Sequence, residues 1–306
     1  MSDGLMKLIK PVTITTAMLT STTVAEPDTG ETAWVSGHAY VIGNEVIVVA
    51  QHRKYICIAN ITGIVSPELD LTHWQDIGPT NAWAMFDRAI GTSTEDASPL
   101  TVVLEPGTIG GLAMLECVGR QAQVTYKDAS GGTTVYSKTV SLDGTIIGSV
   151  YDWFFEEYEQ LGDFVLTDLP PQYPNGELTV SITATAGDVS CGVLSVGRVI
   201  EFGKTLDGAK ATIDDYSIKE TNEYGATDVV ERTYNRRSSF DVVIDSADFN
   251  RLYRRLSQLR AIPCVYIGVD ELGYQPFINY GFFETFGMVV SYGTKSLCNL
   301  EIKGLT

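Results

Sequence analysis

Short β-branched runs, broken at regular intervals by turn residues, constrain this chain more than any other feature. "EVIVVAQHRKYICIANITG", "PLTVVLEPGTIGGLAMLECV", "AQVTYKDASGGTTVYSKTVSL", "FVLTDLP" and "ELTVSITATAGDVSCGVLSVG" each set Val, Ile, Thr and Tyr between Pro, Gly, Asp and Asn. Branched and aromatic side chains fit a pleated, half-buried surface, and the intervening residues supply the turns. Strands at this spacing predict a sandwich or a barrel. Within "ASGGTTVYS" the pair Gly131-Gly132 is expected to supply the positive φ angles of a tight hairpin.

One segment departs from the pattern. "SADFNRLYRRLSQLRA" places Phe249, Leu252, Tyr253, Leu256 and Leu259 at helical spacing, with Arg251, Arg254, Arg255 and Gln258 elsewhere around the axis. Ser246 is the expected N-cap, Asp248 stands near the positive end of the helix dipole, and Pro263 stops continuation beyond Arg260. A lone helix in a β-rich chain covers a sheet face, which accounts for its apolar stripe but not for its arginines.

The 306 residues suffice for one large domain or two to three ordinary ones, and 44% apolar with 19% charged residues is globular composition. A formal charge of −17 argues against a nucleic-acid partner, because such binding depends on Lys and Arg neutralising phosphates. Five widely spaced cysteines (Cys57, Cys117, Cys191, Cys264, Cys298) form no Cys-x-x-Cys, and their odd number excludes a complete intrachain disulfide set. They are expected as small buried apolar groups. "MSDGLMKLIKPVTIT" lacks the apolar region of a secretory signal, and no apolar run reaches membrane-spanning length. A reducing cytosol is the expected place of folding, without direct membrane insertion.

Composition divides the chain into a multi-domain, mainly β protein. Residues 1–30, Thr-rich and ending within "AEPDTGET", read as an arm or linker; 31–80 form a small β module bounded by tryptophans. Residues 81–202 make a β-sandwich, jelly-roll-like, and 203–306 a C-terminal β domain with one covering α-helix.

Catalytic constellations are sparse. His38, His52 and His73 all fall in the small module without metal-ligand spacing, and read as surface or loop histidines. "SCGVLSVG" lacks a nucleophile elbow, and "GTIGG" lacks the helix opening and lysine of a phosphate loop. "DWFFEEYEQLGDF" gathers Asp152, Glu156, Glu157 and Glu159, as a glycosidase would need, but also as a solvated acidic loop would. No cofactor, metal site or catalytic residue is expected. The aromatic residues are more informative. Trp34, Tyr40, Tyr55 and Trp74 lie within 31–80, where flat rings either stack on a sugar or fill a small interior. Trp74 is expected inside the module; Trp34, Tyr40 and Tyr55 are the candidate glycan-binding residues. Arg251, Arg254 and Arg255, crowded on one helix of an acidic chain, are the candidate partner interface.

With these residues in view, two resemblances follow. Trp34, Tyr40, Gly43, Val46, Tyr55, Pro67 and Trp74 resemble the pattern of the small chitin-binding-type carbohydrate-binding module, with Asn44 where that family has Asp. Over residues 7–306, the blocks "IKPVTITTAMLTSTTV", "DIGPTNAWAMFD", "LTDLPP", "SIKETNEYGATDVVER", "RRLSQLRAIPCVYIG" and "SLCNLEIKGL" resemble a family of tailed-bacteriophage tail and virion structural proteins. That resemblance implies a non-enzymatic component of the tail tip, baseplate or hub in the virion, assembled in the host cytoplasm. Its implied partners are other copies of itself and other phage tail proteins. It also implies the general plan of tail-tube and distal-tail proteins, with sheets closing into a ring and a helix covering the outside. The alternative is a receptor-binding adhesin that recognises a host surface glycan.

Overall fold

Leu5–Pro11, the first strand of the chain, lies in the middle of the largest sheet rather than at its edge. It pairs on one side with Val193–Thr205 and on the other with Cys264–Ile267, antiparallel to both. The ladder continues through Ile278–Val289, Lys295–Gly304 and Tyr234–Asp245. It then returns to Val193–Thr205 by the pairs Lys204↔Val243 and Thr205↔Val242. These strands close on one another as an antiparallel barrel. The computed structural model describes residues 4–145, 148–155, 159–221, 223–225, 227–269, 275–289 and 293–305, and over these the protein is mainly β, with several sheets.

Closure has a local cause. Gly203 adopts a φ of 151°, and a Cβ there would stand 2.3 Å from the Val243 carbonyl oxygen. Only glycine accepts both the angle and the approach of the closing strand. Phe202 is passed over between Met6↔Gly203 and Lys7↔Glu201, a bulge that bends the strand as a barrel requires. Alternate residues point inward and are buried: Met6 and Leu8, Val242 and Ile244, Leu300 and Ile302. The helix Phe249–Leu259 adds Leu252, Leu256 and Leu259 to this same cluster. Its start differs from the sequence expectation. Ser246 lies in a single 3₁₀ turn, Ser246–Asp248, and its hydroxyl bonds to Ser296 at 3.0 Å instead of capping the helix.

The second unit is a sandwich. One sheet runs Thr134–Ser141, Gln121–Lys127, Glu177–Thr183, Leu100–Leu104 and Leu19–Thr22 in spatial order. It packs against Gly111–Leu115, Phe164–Leu166 and the first half of Val193–Thr205. Sandwich and barrel thus share one thirteen-residue strand. A boundary at 202 therefore cuts a continuous strand, and the domain limits drawn from composition need correction there. Residues 1–30 are not an arm over their described length either: Leu5–Pro11 is doubly paired, Leu19–Thr22 forms an edge strand, and Val24 is buried in the sandwich core. Thr-rich composition hid Leu19–Thr22, because an edge position tolerates threonine, while the short run Leu5–Pro11 shows no partner in its own sequence. At the hairpin, Gly131 alone takes positive φ (65°); Gly132 is needed for space, since a Cβ would lie 2.0 Å from Asp128 Oδ1.

Two outcomes follow from this architecture. Leu8, fully buried at the centre of the barrel, should cost about 2–5 kcal/mol when replaced by Ala, measured by chemical denaturation. Near the sandwich hairpin, the Lys127 ammonium 2.5 Å from Glu177, helped by Ser130 and the Gly131 N–H, holds the Glu177 carboxyl below its ordinary value of 4.5. A lowered folded pKa stabilises above the ordinary value and the gain fades as pH falls through the folded one. Glu177→Gln is therefore expected to be less stable than wild type from neutral pH down to about 4.5, with the two converging at lower pH.

Candidate functional site: a Trp-bounded module and two interaction surfaces

The module at 31–80 is built from the ribbon His38–Tyr40 with Ile61–Gly63, and from Glu45–Val48, Arg53–Cys57 and Trp74–Pro79. So small a unit has little interior, and its rings fill it. Trp74 is 1% exposed and Tyr40 and Tyr55 are 5% exposed each, packed with Val46 and Cys57. Tyr40 meets Trp74 edge-on with centroids 5.0 Å apart, and its hydroxyl accepts from the Val35 N–H at 2.8 Å. Trp34 is half-buried over Gly63, where a Cβ would lie 3.0 Å from its Nε1 and 2.9 Å from the Tyr40 ring.

Trp74 thus occupies the core position read from the sequence. The glycan reading of Tyr40 and Tyr55 is corrected: both rings are interior. With no face in solvent they cannot stack on a sugar, and burial pushes the Tyr55 phenol up from its ordinary pKa. What the module does expose is aliphatic. Val41, Ile42, Ile64, Leu69 and Leu71 each stand more than half exposed.

A polar clamp fixes the module on the sandwich. His52, in a left-handed backbone conformation (φ 55°), stacks on Trp83 at 3.9 Å. Its ring nitrogens meet Glu26 Oε2 at 2.8 Å and Thr16 Oγ1 at 2.9 Å, and Thr80 donates to the other Glu26 oxygen at 2.6 Å. The order hydroxyl–imidazole–carboxylate is that of an acyl-transfer triad. Here it joins three chain segments, with every partner committed to holding the next. Lys54 pairs with Glu31 at 2.9 Å beside it. Burial raises the Glu31 carboxyl's pKa, and hydrogen bonds from the Asp28 and Asn81 backbones, with Lys54, more than offset this and hold it below its ordinary value. His73 bonds to Asp70, and His38 sits edge-on to Tyr40.

The C-terminal helix carries the first candidate interaction surface. Leu252, Leu256 and Leu259 face inward, while Arg251, Tyr253, Arg254, Arg255 and Arg260 face solvent. Arg251 pairs with Asp248 at 2.9 Å. Among the described residues Arg254, Arg255 and Arg260 have no carboxylate partner. The structure therefore brings the candidate arginines together on one open face, with Tyr253 on its flank, 6.2 Å from the Phe286 ring.

The second surface was not singled out from the sequence. Residues Leu142–Gly144 and Glu159–Leu161 are pinned to each other at the sandwich: Leu161 N–H donates to Leu142 O at 2.8 Å and Gly144 N–H to Glu159 O at 2.9 Å. Between them in the chain, the helix Val150–Phe155 holds Val150, Tyr151, Phe154 and Phe155 between 67% and 78% exposed. Tyr151 and Phe155 rest on each other at 4.6 Å. The run "VYDWFF" carried the signal, apolar residues with no buried period, but the neighbouring acids drew the reading toward a solvated loop. Glu156 and Glu157 lie outside the described residues, as does the side chain of Asp152, so the carboxylate pair has no geometry here.

Where loop and barrel meet, Arg236 is ion-paired with Asp163, whose other oxygen accepts from the Glu116 N–H at 2.9 Å. The pair borders a crevice of about 240 Å³ between Leu115, Tyr234, Asn279 and Tyr280. It locks the loop base to the first turn of Tyr234–Asp245. Among the described residues, no group of three or more His, Cys, Asp or Glu side chains could hold a metal ion, and no helix is long and apolar enough to cross a membrane. All five cysteines are buried and unbridged. No protein-family model, curated protein or solved structure matches the chain.

Trp74→Ala should destabilise the module by about 3–5 kcal/mol, and Trp34→Ala by less than half of that. Amide hydrogen exchange within Arg53–Cys57 reads the difference, and equal losses would put Trp34 in the core with Trp74.

Proposed function

We propose that the chain is a non-enzymatic structural component of a bacteriophage tail, in the tip, baseplate or hub region. It assembles as an oligomer around the tail axis, in contact with other copies of itself and other tail proteins. The observation that carries this reading is the unpaired apolar surface. A well-closed barrel and sandwich nevertheless hold an aromatic helix out into solvent at Val150–Phe155 and an aliphatic surface on the module. Exposed apolar patches of this kind mark contact with another macromolecule. The sequence blocks that resemble tail and virion proteins supply the kind of assembly, and a barrel with one helix packed on it fits the plan expected of that family.

The adhesin alternative drew on rings available for a sugar. With Tyr40 and Tyr55 in the core, only half-buried Trp34 remains of that set. The module then serves as a peripheral element through its aliphatic surface, where it docks a fibre or a neighbouring tail protein.

The test is made on assembled particles. Mass spectrometry of washed virions should find the chain, and immunogold labelling should place it at one locus on the tail. Its absence from washed particles, or labelling scattered over the head, would overturn the proposal.

A further inference from the structure

The reading of this chain as an assembling subunit leaves open which surfaces meet, and the present inference rests on it. We infer that the aromatic helix Val150–Phe155 of one copy docks, head to tail, on the arginine face of Phe249–Leu259 of a second copy.

The two surfaces are complementary in charge and in shape of chemistry. Between Lys138 and Arg198 the sequence has no basic residue, and from 143 to 163 it has six acidic ones. In sequence, Tyr151, Phe154 and Phe155 therefore lie in a stretch whose charges are all acidic; of these Asp163 is ion-paired with Arg236, and Glu156, Glu157 and the Asp152 side chain lie outside the described residues. The helix presents the converse: Tyr253, 55% exposed, beside arginines of which Arg254, Arg255 and Arg260 have no carboxylate among the described residues. Guanidinium groups stack on aromatic faces and pair with carboxylates, and Tyr, Phe and Arg are the side chains that anchor interfaces. Arg251 and Arg255 are one helical turn apart and repel, a cost that an acidic partner relieves.

Neither surface suits itself. Loop on loop would oppose acids to acids, and helix on helix would oppose arginines to arginines. Only the unlike pairing is favoured, which excludes a two-fold contact through either surface alone. Within one chain the two surfaces are rooted far apart. The loop base is tied to Arg236 and the helix packs beside Ile244, eight residues further along the same strand, or about 26 Å at the usual rise. Surfaces at opposite ends of a strand, unlike and complementary, generate a head-to-tail series, closing as a ring where the rotation allows. An anionic membrane is the wrong occupant for the loop, around which the sequence charges are all acidic.

The full-length chain and two variants decide the matter by sedimentation velocity over a range of concentration and salt. Phe154→Ser with Phe155→Ser removes the loop's anchors; Arg254→Glu with Arg255→Glu reverses the helix. All four side chains are exposed, and unchanged circular dichroism and thermal unfolding would establish that both variants fold. Wild type is expected to form species larger than dimers, shrinking as salt screens the contact. Each variant alone should self-associate at least about ten-fold more weakly. Mixed together, they should form a one-to-one dimer and nothing larger, since the pair retains one good loop and one good helix. Arg254→Lys with Arg255→Lys should retain part of the association.

Wild-type oligomers that persist in both variants would overturn this docking and leave the assembly reading in place. Variants that lose association singly and fail to pair when mixed would overturn it as well. So would a wild type that is monomeric at every concentration, or one that floats with phosphatidylcholine–phosphatidylglycerol vesicles through the same loop. In the monomeric case the labelling of washed particles separately decides whether the chain is a tail component.

Discussion

The insertion of Leu5–Pro11 between Val193–Thr205 and Cys264–Ile267 is the contact on which the rest of the structure depends. Cys264–Ile267 is buried on both faces, with Cys264 and Tyr266 toward the helix side and Val265 and Ile267 toward Ile9 and Ala113. A strand in that position has no water for its N–H and C=O groups, so a neighbour must satisfy them. The first strand of the chain is that neighbour, and it carries Met6 and Leu8 into the barrel core at the same time. Because Val193–Thr205 also forms part of the sandwich, the same ladder couples the two cores through one backbone. Sandwich and barrel are joined by a strand, not a linker.

Closure also determines where this protein can bind. Closure removes strand edges from the barrel, whereas the sandwich sheet keeps two, Thr134–Ser141 and Leu19–Thr22. The other surfaces open to contact stand outside the ladders: the loop helix, the outer face of Phe249–Leu259, and the aliphatic surface of the module. The arrangement is economical in charge. A chain of net −17 gathers Arg254, Arg255 and Arg260, without carboxylate partners among the described residues, on and just after one short helix, and has a long stretch with only acidic charges in the sequence around the aromatic run. An acidic chain repels its own copies, and in the proposed docking such local contrast would give two copies a defined register.

The module shows how a small unit spends its aromatic residues. Interior volume is scarce in about fifty residues, so burying Trp74, Tyr40 and Tyr55 contributes more than exposing them. Its orientation on the body is set by the His52 clamp and by Lys54 with Glu31 rather than by apolar packing. Since Glu26 and Thr16 come from the N-terminal segment, that segment ties down the module as well as the barrel.

Much of the fold was written in local pattern. The turn-punctuated β-branched runs gave the mainly β class, and Leu252, Leu256 and Leu259 gave a helix with a buried stripe, because period and burial are coupled residue by residue. Arg251, Arg254 and Arg255 could be placed on its outer face for the same reason. What local pattern could not carry was pairing between distant segments. That the Thr-rich N-terminus supplies a central strand depends on partners nearly two hundred or more residues away, and composition records no partner. That Tyr40 and Tyr55 are core depends on how few other side chains reach that interior, which only the packed module decides. And the loop aromatics, read as part of an acidic turn, became a surface only when the ladder from Leu142 to Leu161 held them clear of every core. Periodicity determines which face of an element is apolar; tertiary structure decides whether this chain, or another, covers it.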